Sequence, residues 1–200
     1  MANVLIAGCG YIGTALGVWL TSDGHMVWGL RRHPELLPPG IRPFAADLTT
    51  PETLSALPSE LDYVFYTAAS TASDDRAHRA IYVNGLSNLL DALLHQGQQP
   101  RRFFFTSSTA VYSQYSGEWV DEASPTQPVD FSGARVLDGE RLLSRGPFAA
   151  TVVRLGGIYG PGRARLIDSV RQGQPCAETA HAFTQTAFIA TTALGSCDIS

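Results

Sequence analysis

The residues best suited to chemistry stand at the start of the chain. Gly8-Cys9-Gly10-Tyr11-Ile12-Gly13 follows the apolar run Val4–Ala7 and leads into a helix-like stretch from Ile12 to Leu20. Between a strand and a helix each glycine has its own task. Gly8 permits the tight turn, Gly10 lets a pyrophosphate approach the main chain, and Gly13 lets helix and strand pack closely. The amides of the first turn, at Tyr11 and Ile12, and the positive end of the helix dipole complete an expected phosphate cradle. The second apolar run ends Trp28-Gly29-Leu30-Arg31-Arg32. An acid there would accept from the 2′-hydroxyl of NAD, whereas Arg31 and Arg32 suit a 2′-phosphate, so NADP is the expected cofactor and NAD is possible. The plainer alternative is a pair of solvated loop arginines. Asp47, in Ala45-Ala46-Asp47-Leu48, either accepts from an adenine amino group or caps a turn.

Proton-handling candidates lie further along. Ser108 can orient a substrate oxygen, and Tyr112 follows it four residues later; Tyr159 ends a later strand. Either tyrosine supplies a phenol or packs as an aromatic wall. Asp121 and Glu122 offer a base or are simply loop acids. His25, His33, His78, His95 and His181 show no metal-ligand spacing and read as surface or helix-end residues, so no metal is expected. Cys9, Cys176 and Cys197 form no disulfide or zinc pattern and fit a reducing cytoplasm. All 14 basic residues are arginine, which excludes any lysine-dependent mechanism. With 18 acids the net charge is −4, and no cationic patch suggests a nucleic-acid partner. No basic, apolar leader opens the chain and no run approaches the ~18 apolar residues of a membrane span. A small-molecule substrate is the expected partner; nothing in the sequence specifies an oligomeric state.

These residues need a scaffold, and the pattern supplies one. Val4–Ala7, Val27–Leu30, Tyr63–Tyr66, Phe103–Thr106 and Thr151–Leu155 are short apolar runs with little alternation, as expected for strands covered on both faces; Ile41–Ala45 is a weaker sixth. Thr50-Pro51-Glu52 reads as a helix start with Thr50 as N-cap. Tyr82, Leu86, Leu89, Leu90 and Leu93 predict one buried helical stripe ending near Gly97. Val136–Leu143 predicts another helix, capped by Ser132. The polar stretch from Tyr112 to Asp130 is a long loop, and long loops within compact domains are usually functional. The expected fold is a Rossmann-type, doubly wound parallel α/β sheet with helices on both faces.

Several segments, in order over roughly residues 4–165, resemble the extended epimerase/dehydratase branch of the short-chain dehydrogenase/reductase superfamily. Tyr66-Thr67-Ala68-Ala69-Ser70 is similar to the family's Asn-Ala-Ala stretch, so Thr67, Ala68 and Ala69 are expected against the cofactor. Tyr82-Val83-Asn84-Gly85 is similar to Asn-Val-x-Gly, and Thr106-Ser107-Ser108-Thr109-Ala110-Val111-Tyr112 to Ser-Ser-x-x-Val-Tyr, which puts the family's catalytic serine at Ser108. Arg154-Leu155-Gly156-Gly157-Ile158-Tyr159-Gly160-Pro161-Gly162 resembles the later Arg-x-x-x-Val-Tyr-Gly-Pro-Gly run. The departure falls on the Tyr-x-x-x-Lys pair, aligned with Phe131 and Arg135. Phe131 has no ionisable proton, and Arg135 can hold the ribose and add positive potential without acting as a proton donor. The resemblance implies an atypical NAD(P)-dependent epimerase/dehydratase or reductase acting on a sugar-nucleotide-like or other hydroxyl/carbonyl substrate. The alternative is a dinucleotide-binding sensor or scaffold without turnover. Residues 1–165 are expected to form the dinucleotide-binding domain. Residues 166–200 read as an irregular remnant of a largely missing substrate lobe, and a premature end or reading-frame shift after about Ala180 is expected to explain their foreign composition.

Overall fold

The computed structural model describes residues 1–114, 116–164, 168–169 and 171–173, and the backbone of 191–194. Six strands form a parallel sheet: β1 (Asn3–Ala7), β2 (Met26–Arg31), β3 (Arg42–Ala45), β4 (Tyr63–Tyr66), β5 (Arg102–Ser108) and β6 (Ala150–Leu155). A further strand, β7 (Thr191–Leu194), pairs antiparallel with β6, and the spatial order is β3-β2-β1-β4-β5-β6-β7. β7 lies in the segment expected to be irregular. An open edge on β6 presents unpaired amides and carbonyls, and an extended Thr-Thr segment can pair with them. The other expectations for residues 174–200 fall outside the described residues.

The chain runs outward from β1 to β3, then returns beside β1 with β4. That reversal opens a crevice beyond the carboxyl ends of β1 and β4, where open α/β sheets bind ligands. Alternation along β1 sends its side chains to two cores. Val4 and Ile6 join Val27, Ile41 and Leu20 beneath α1 (Tyr11–Ser22). Leu5 and Ala7 face the larger core, with Val64, Tyr66, Phe103 and Phe105. That core is closed by α3 (Leu86–His95), through the expected stripe Leu86, Leu89, Leu90 and Leu93, and by α4 (Phe131–Ser144). Helices therefore cover both faces, as the nearly continuous apolar strands require.

Local structure departs from expectation in two places. Thr50-Pro51 opens only the 3₁₀ turn Pro51–Leu54, and the Thr50 side chain makes no cap. The hydroxyl of Thr53 donates to the carbonyls of Asp47 and Thr50, which ties the segment into a tight turn. α4 begins five residues before the predicted start and is capped by Asp130, not Ser132; Asp130 Oδ1 accepts from the Gly133 amide at 2.9 Å. A carboxylate at that position also complements the helix dipole. Between β4 and α3, the short α2 (Asp75–Arg79) runs into a π-helical stretch, Ala80–Gly85. The buried Tyr66 hydroxyl donates to the Ile81 carbonyl there at 2.6 Å.

Candidate functional site

The glycine loop turns where β1 hands over to α1. Gly8 has φ +82°, and a Cβ on it would lie 2.3 Å from Ala68 Cα, so conformation and space both demand glycine. A Cβ on Gly13 would meet Thr67 Oγ1 at 2.6 Å and Ile6 Cγ2 at 2.8 Å; this is the close helix–strand approach. Gly10 is different. A Cβ there would meet only Gly8 O, at an ordinary 3.8 Å, so its outer side is open. The N-terminus of α1 has no side-chain cap and no acid in its first turn. Bare first-turn amides and an uncompensated dipole beside open space fit a diphosphate.

Neighbouring elements brace this loop. Thr67 donates from Oγ1 to Gly8 O at 3.0 Å, and its amide donates to Ala7 O at 2.8 Å, so the segment after β4 is tied to the turn. Ala68 is packed against Gly8, whereas Ala69 is exposed. Cys9 is buried, with its sulfur 3.9 Å from Thr14 Oγ1; burial pushes its thiol pKa up. Arg31 Nη1 donates to Cys9 O at 3.4 Å, which holds that guanidinium beside the loop, while Arg32 is exposed. Asp47 Oδ1 accepts from the amide and hydroxyl of Thr49. Partial burial opposes ionisation of Asp47, but those bonds and the charge of Arg32 outweigh it and hold the carboxyl below its usual range. Its turn-capping role is therefore visible in the geometry.

The proton-handling candidates separate. Ser108 ends β5, and its Oγ accepts from the Ala110 amide at 3.1 Å. That bond uses a lone pair and leaves the hydroxyl hydrogen to donate. Tyr112, by contrast, is 3% exposed, and its OH donates to Asp121 O and accepts from Arg154 Nη1, each at 2.8 Å. With its proton on a backbone carbonyl and its ring under Arg154, Tyr112 is a packed structural residue in place of the expected stand-in phenol. Arg135 also differs from expectation. Its guanidinium donates to Asp75 through Nε (2.6 Å) and Nη2 (3.1 Å), and to Asp138 through Nη1 (2.9 Å). These carboxylates raise its pKa further and direct it to the α2–α4 contact, not towards a ribose. Asp121 is held below the usual carboxylate range by the Ser124 hydroxyl and lies in its own turn. Tyr159 is exposed, as is Phe131 at the head of α4.

Sequence reasoning missed a buried ion pair beneath Ser108. Arg154 donates from Nε and Nη2 to both oxygens of Glu140, at 2.9 and 2.7 Å, and the Ser107 hydroxyl donates to Glu140 Oε1. Both side chains are under a tenth exposed. The available signal was an arginine inside the apolar strand Thr151–Leu155, since a buried charge requires a partner. Among the described residues no three His, Cys, Asp or Glu side chains form a metal site, and no helix is long and apolar enough to cross a membrane.

The family model described as "NAD dependent epimerase/dehydratase family" matches residues 4–178. The chain belongs to this family. Among curated proteins, a 3β-hydroxysteroid dehydrogenase/Δ5→4-isomerase of Mycobacterium tuberculosis is 33% identical, over 86% of this chain and 52% of that protein. The chain thus spans about half the length of that relative. A solved protein of Methylobacillus flagellatus, assigned to the NAD-dependent epimerases/dehydratases, is 39% identical with a TM-score of 0.74, covering 86% of this chain and 60% of its own. A short-chain dehydrogenase/reductase superfamily protein of Agrobacterium tumefaciens, solved with bound NAD, is 27% identical with a TM-score of 0.64, over 76% and 48% of the two chains. The sheet is the Rossmann-type fold of this family, as its segments imply.

Proposed function

We propose that this chain binds a nicotinamide dinucleotide across the crevice at β1 and β4 and serves hydride transfer between it and a hydroxyl/carbonyl substrate. The observation that carries this reading is the uncapped N-terminus of α1 beside an open Gly10. The NAD-bound Agrobacterium relative supports the same cofactor class.

In this reading Gly8, Gly10 and Gly13 shape the loop, and the amides of Tyr11 and Ile12 donate to the pyrophosphate. Arg31 and Arg32 meet the 2′ position of the adenosine ribose, with a preference for the 2′-phosphate of NADP over NAD. Asp47 accepts near the adenine through the carboxylate oxygen not used by Thr49. Thr67, Ala68 and Ala69 line the cofactor's other side. When bound, the dinucleotide supplies a two-electron hydride donor or acceptor. Ser108, whose hydroxyl hydrogen remains free to donate, orients the substrate oxygen. The Glu140–Arg154 pair and Tyr112 hold the carboxyl ends of β5 and β6, and so the position of Ser108. The substrate is a small molecule of the sugar-nucleotide or steroid-alcohol type.

Calorimetric titration with NAD⁺, NADH, NADP⁺ and NADPH tests the binding step. Saturable binding of at least one is expected, with the phosphorylated forms tighter. Folded protein that binds none of the four overturns the reading. Spectrophotometric screening of UDP-sugars and 3β-hydroxysteroids with the preferred cofactor then tests turnover.

A further inference from the structure

The family's tyrosine and lysine align with Phe131 and Arg135, and in this structure both residues turn onto the same short helix, α2. Arg135 grips Asp75 with two donors. Phe131 meets the imidazole of His78 edge to face, with ring centroids 5.3 Å apart at 86°. The one titratable ring against Phe131 among the described contacts therefore comes from α2. Its surroundings suit proton transfer. His78 Nδ1 lies 3.0 Å from Asp74 O, and a carbonyl oxygen can only accept, so the neutral ring carries its proton on Nδ1 and leaves Nε2 as a base. Asp74 is itself fixed, because its Oδ1 accepts from the Ala77 amide at 2.8 Å and caps the helix. On its other side His78 lies 5.8 Å, centroid to centroid, from Tyr82 in the π-helical stretch, a feature frequent at functional sites.

The location also suits a reaction at the crevice. α2 is reached from the carboxyl end of β4, and α4 from the carboxyl end of β5. Thr67 ties the end of β4 to the glycine loop by donating to Gly8 O, and His78 packs between Tyr82 and Phe131.

Resting on the dinucleotide reading above, we propose that His78 is the general acid/base of this chain, with the proton-carrying role moved from α4 to α2. His78 Nε2 takes the hydroxyl proton of a substrate alcohol as the carbinol C–H leaves with its electron pair to the oxidised pyridine dinucleotide. The products are a carbonyl, the reduced dinucleotide and an imidazolium. In the opposite direction the imidazolium returns the proton to the oxygen that receives hydride at its carbon. Asp75, Arg135 and Asp138 clamp α2 to α4 and act as positioning residues.

NMR on the full chain, labelled with ¹³C,¹⁵N-histidine and assigned through His78→Gln, tests this with NAD⁺, NADH, NADP⁺ and NADPH as probes. The free protein is expected to show a proton on His78 Nδ1, towards the Asp74 carbonyl. Each bound dinucleotide is expected to give NOEs from the His78 ring protons to the nicotinamide ring. Binding that yields nicotinamide NOEs to other residues and none to His78 overturns the assignment while the cofactor reading stands. Failure of folded protein to bind any of the four removes both.

Discussion

Replacing Glu140 with alanine should be among the most damaging single changes in the described part of the molecule. The carboxylate receives two donors from Arg154 and one from Ser107, and the Arg154 and Glu140 side chains are 7% and 8% exposed. The hydrogen bonds of Glu140 push the Arg154 pKa up, and without them the ordinary basicity of a guanidinium still keeps Arg154 charged at neutral pH. Glu140→Ala leaves that charge buried, with the Tyr112 hydroxyl as its remaining partner among the described residues, at a cost of about 3–5 kcal/mol. Against a typical total of about 5–15 kcal/mol this is a large share. Arg154→Met should cost about as much, by stranding the carboxylate. The double variant Glu140→Leu/Arg154→Met removes both charges and should cost far less than the sum, because the desolvation penalty of the pair disappears with it. Urea denaturation followed by circular dichroism gives each free energy. A single-variant cost below about 1 kcal/mol, or additive losses in the double variant, would refute the claim that this pair anchors β5 and β6.

Four further outcomes follow from the same geometry. Gly10→Ala should leave stability within about 0.5 kcal/mol, since its Cβ meets nothing closer than 3.8 Å, yet weaken dinucleotide binding at least about tenfold. Unchanged affinity by calorimetry would sink the cradle. Gly13→Ala, whose Cβ would lie 2.6 Å from Thr67 Oγ1, should instead cost about 1–3 kcal/mol in urea denaturation. Arg31→Asp should shift the ratio of NADP to NAD affinity towards NAD, and an unchanged ratio removes Arg31 from the 2′ site. Arg135→Gln should reduce stability at neutral pH, and the difference from wild type should close in acid. The Arg135 hydrogen bonds hold Asp75 below the usual carboxylate range, so their contribution is present above about pH 3.9 and is lost as pH falls through the lowered value. A gap independent of pH between neutrality and pH 2 would contradict this.

The fold was legible because its signals are local and repeated. Val4–Ala7 is apolar without break and Phe103–Thr106 is apolar or β-branched throughout, which in a short run between turns points to a strand covered on both faces, and the observed strands differ from them by only a few residues. The glycine loop was legible for a similar reason: Gly8 and Gly13 answer to hard steric limits that few other residues meet. Hydroxyls and carboxylates carry weaker signals, because several partners compete for each. Ser132 and Asp130 both suit an N-cap, and only the path of the chain into α4 decides that Asp130 caps it. Position after Ser108 singles out Tyr112, and the family resemblance singles out Arg135, while their partners Arg154 and Asp75 lie 42 and 60 residues away. No local pattern encodes such pairings. His78 likewise reads as a helix-end residue until Phe131 is brought against it from 53 positions downstream.

The two arginine clusters differ in setting, and burial decides what each does. At Arg154 the ion pair sits under the ends of β5 and β6, where removing one partner strands a charge, so it fixes backbone that cannot shift cheaply. At Arg135 the pair with Asp75 is partly solvated, its partner being 49% exposed, and water can replace either ion when the contact opens. The first suits a rigid base for Ser108. The second suits the seam between α2 and α4, because a contact of small net energy can hold His78 against Phe131 and still yield as a ligand enters the crevice. If so, an Arg135→Gln variant should admit dinucleotide with little change in affinity, while hydrogen exchange of the α2 amides quickens. Unaltered exchange across α2 would show that packing, not the ion pair, holds that helix in place.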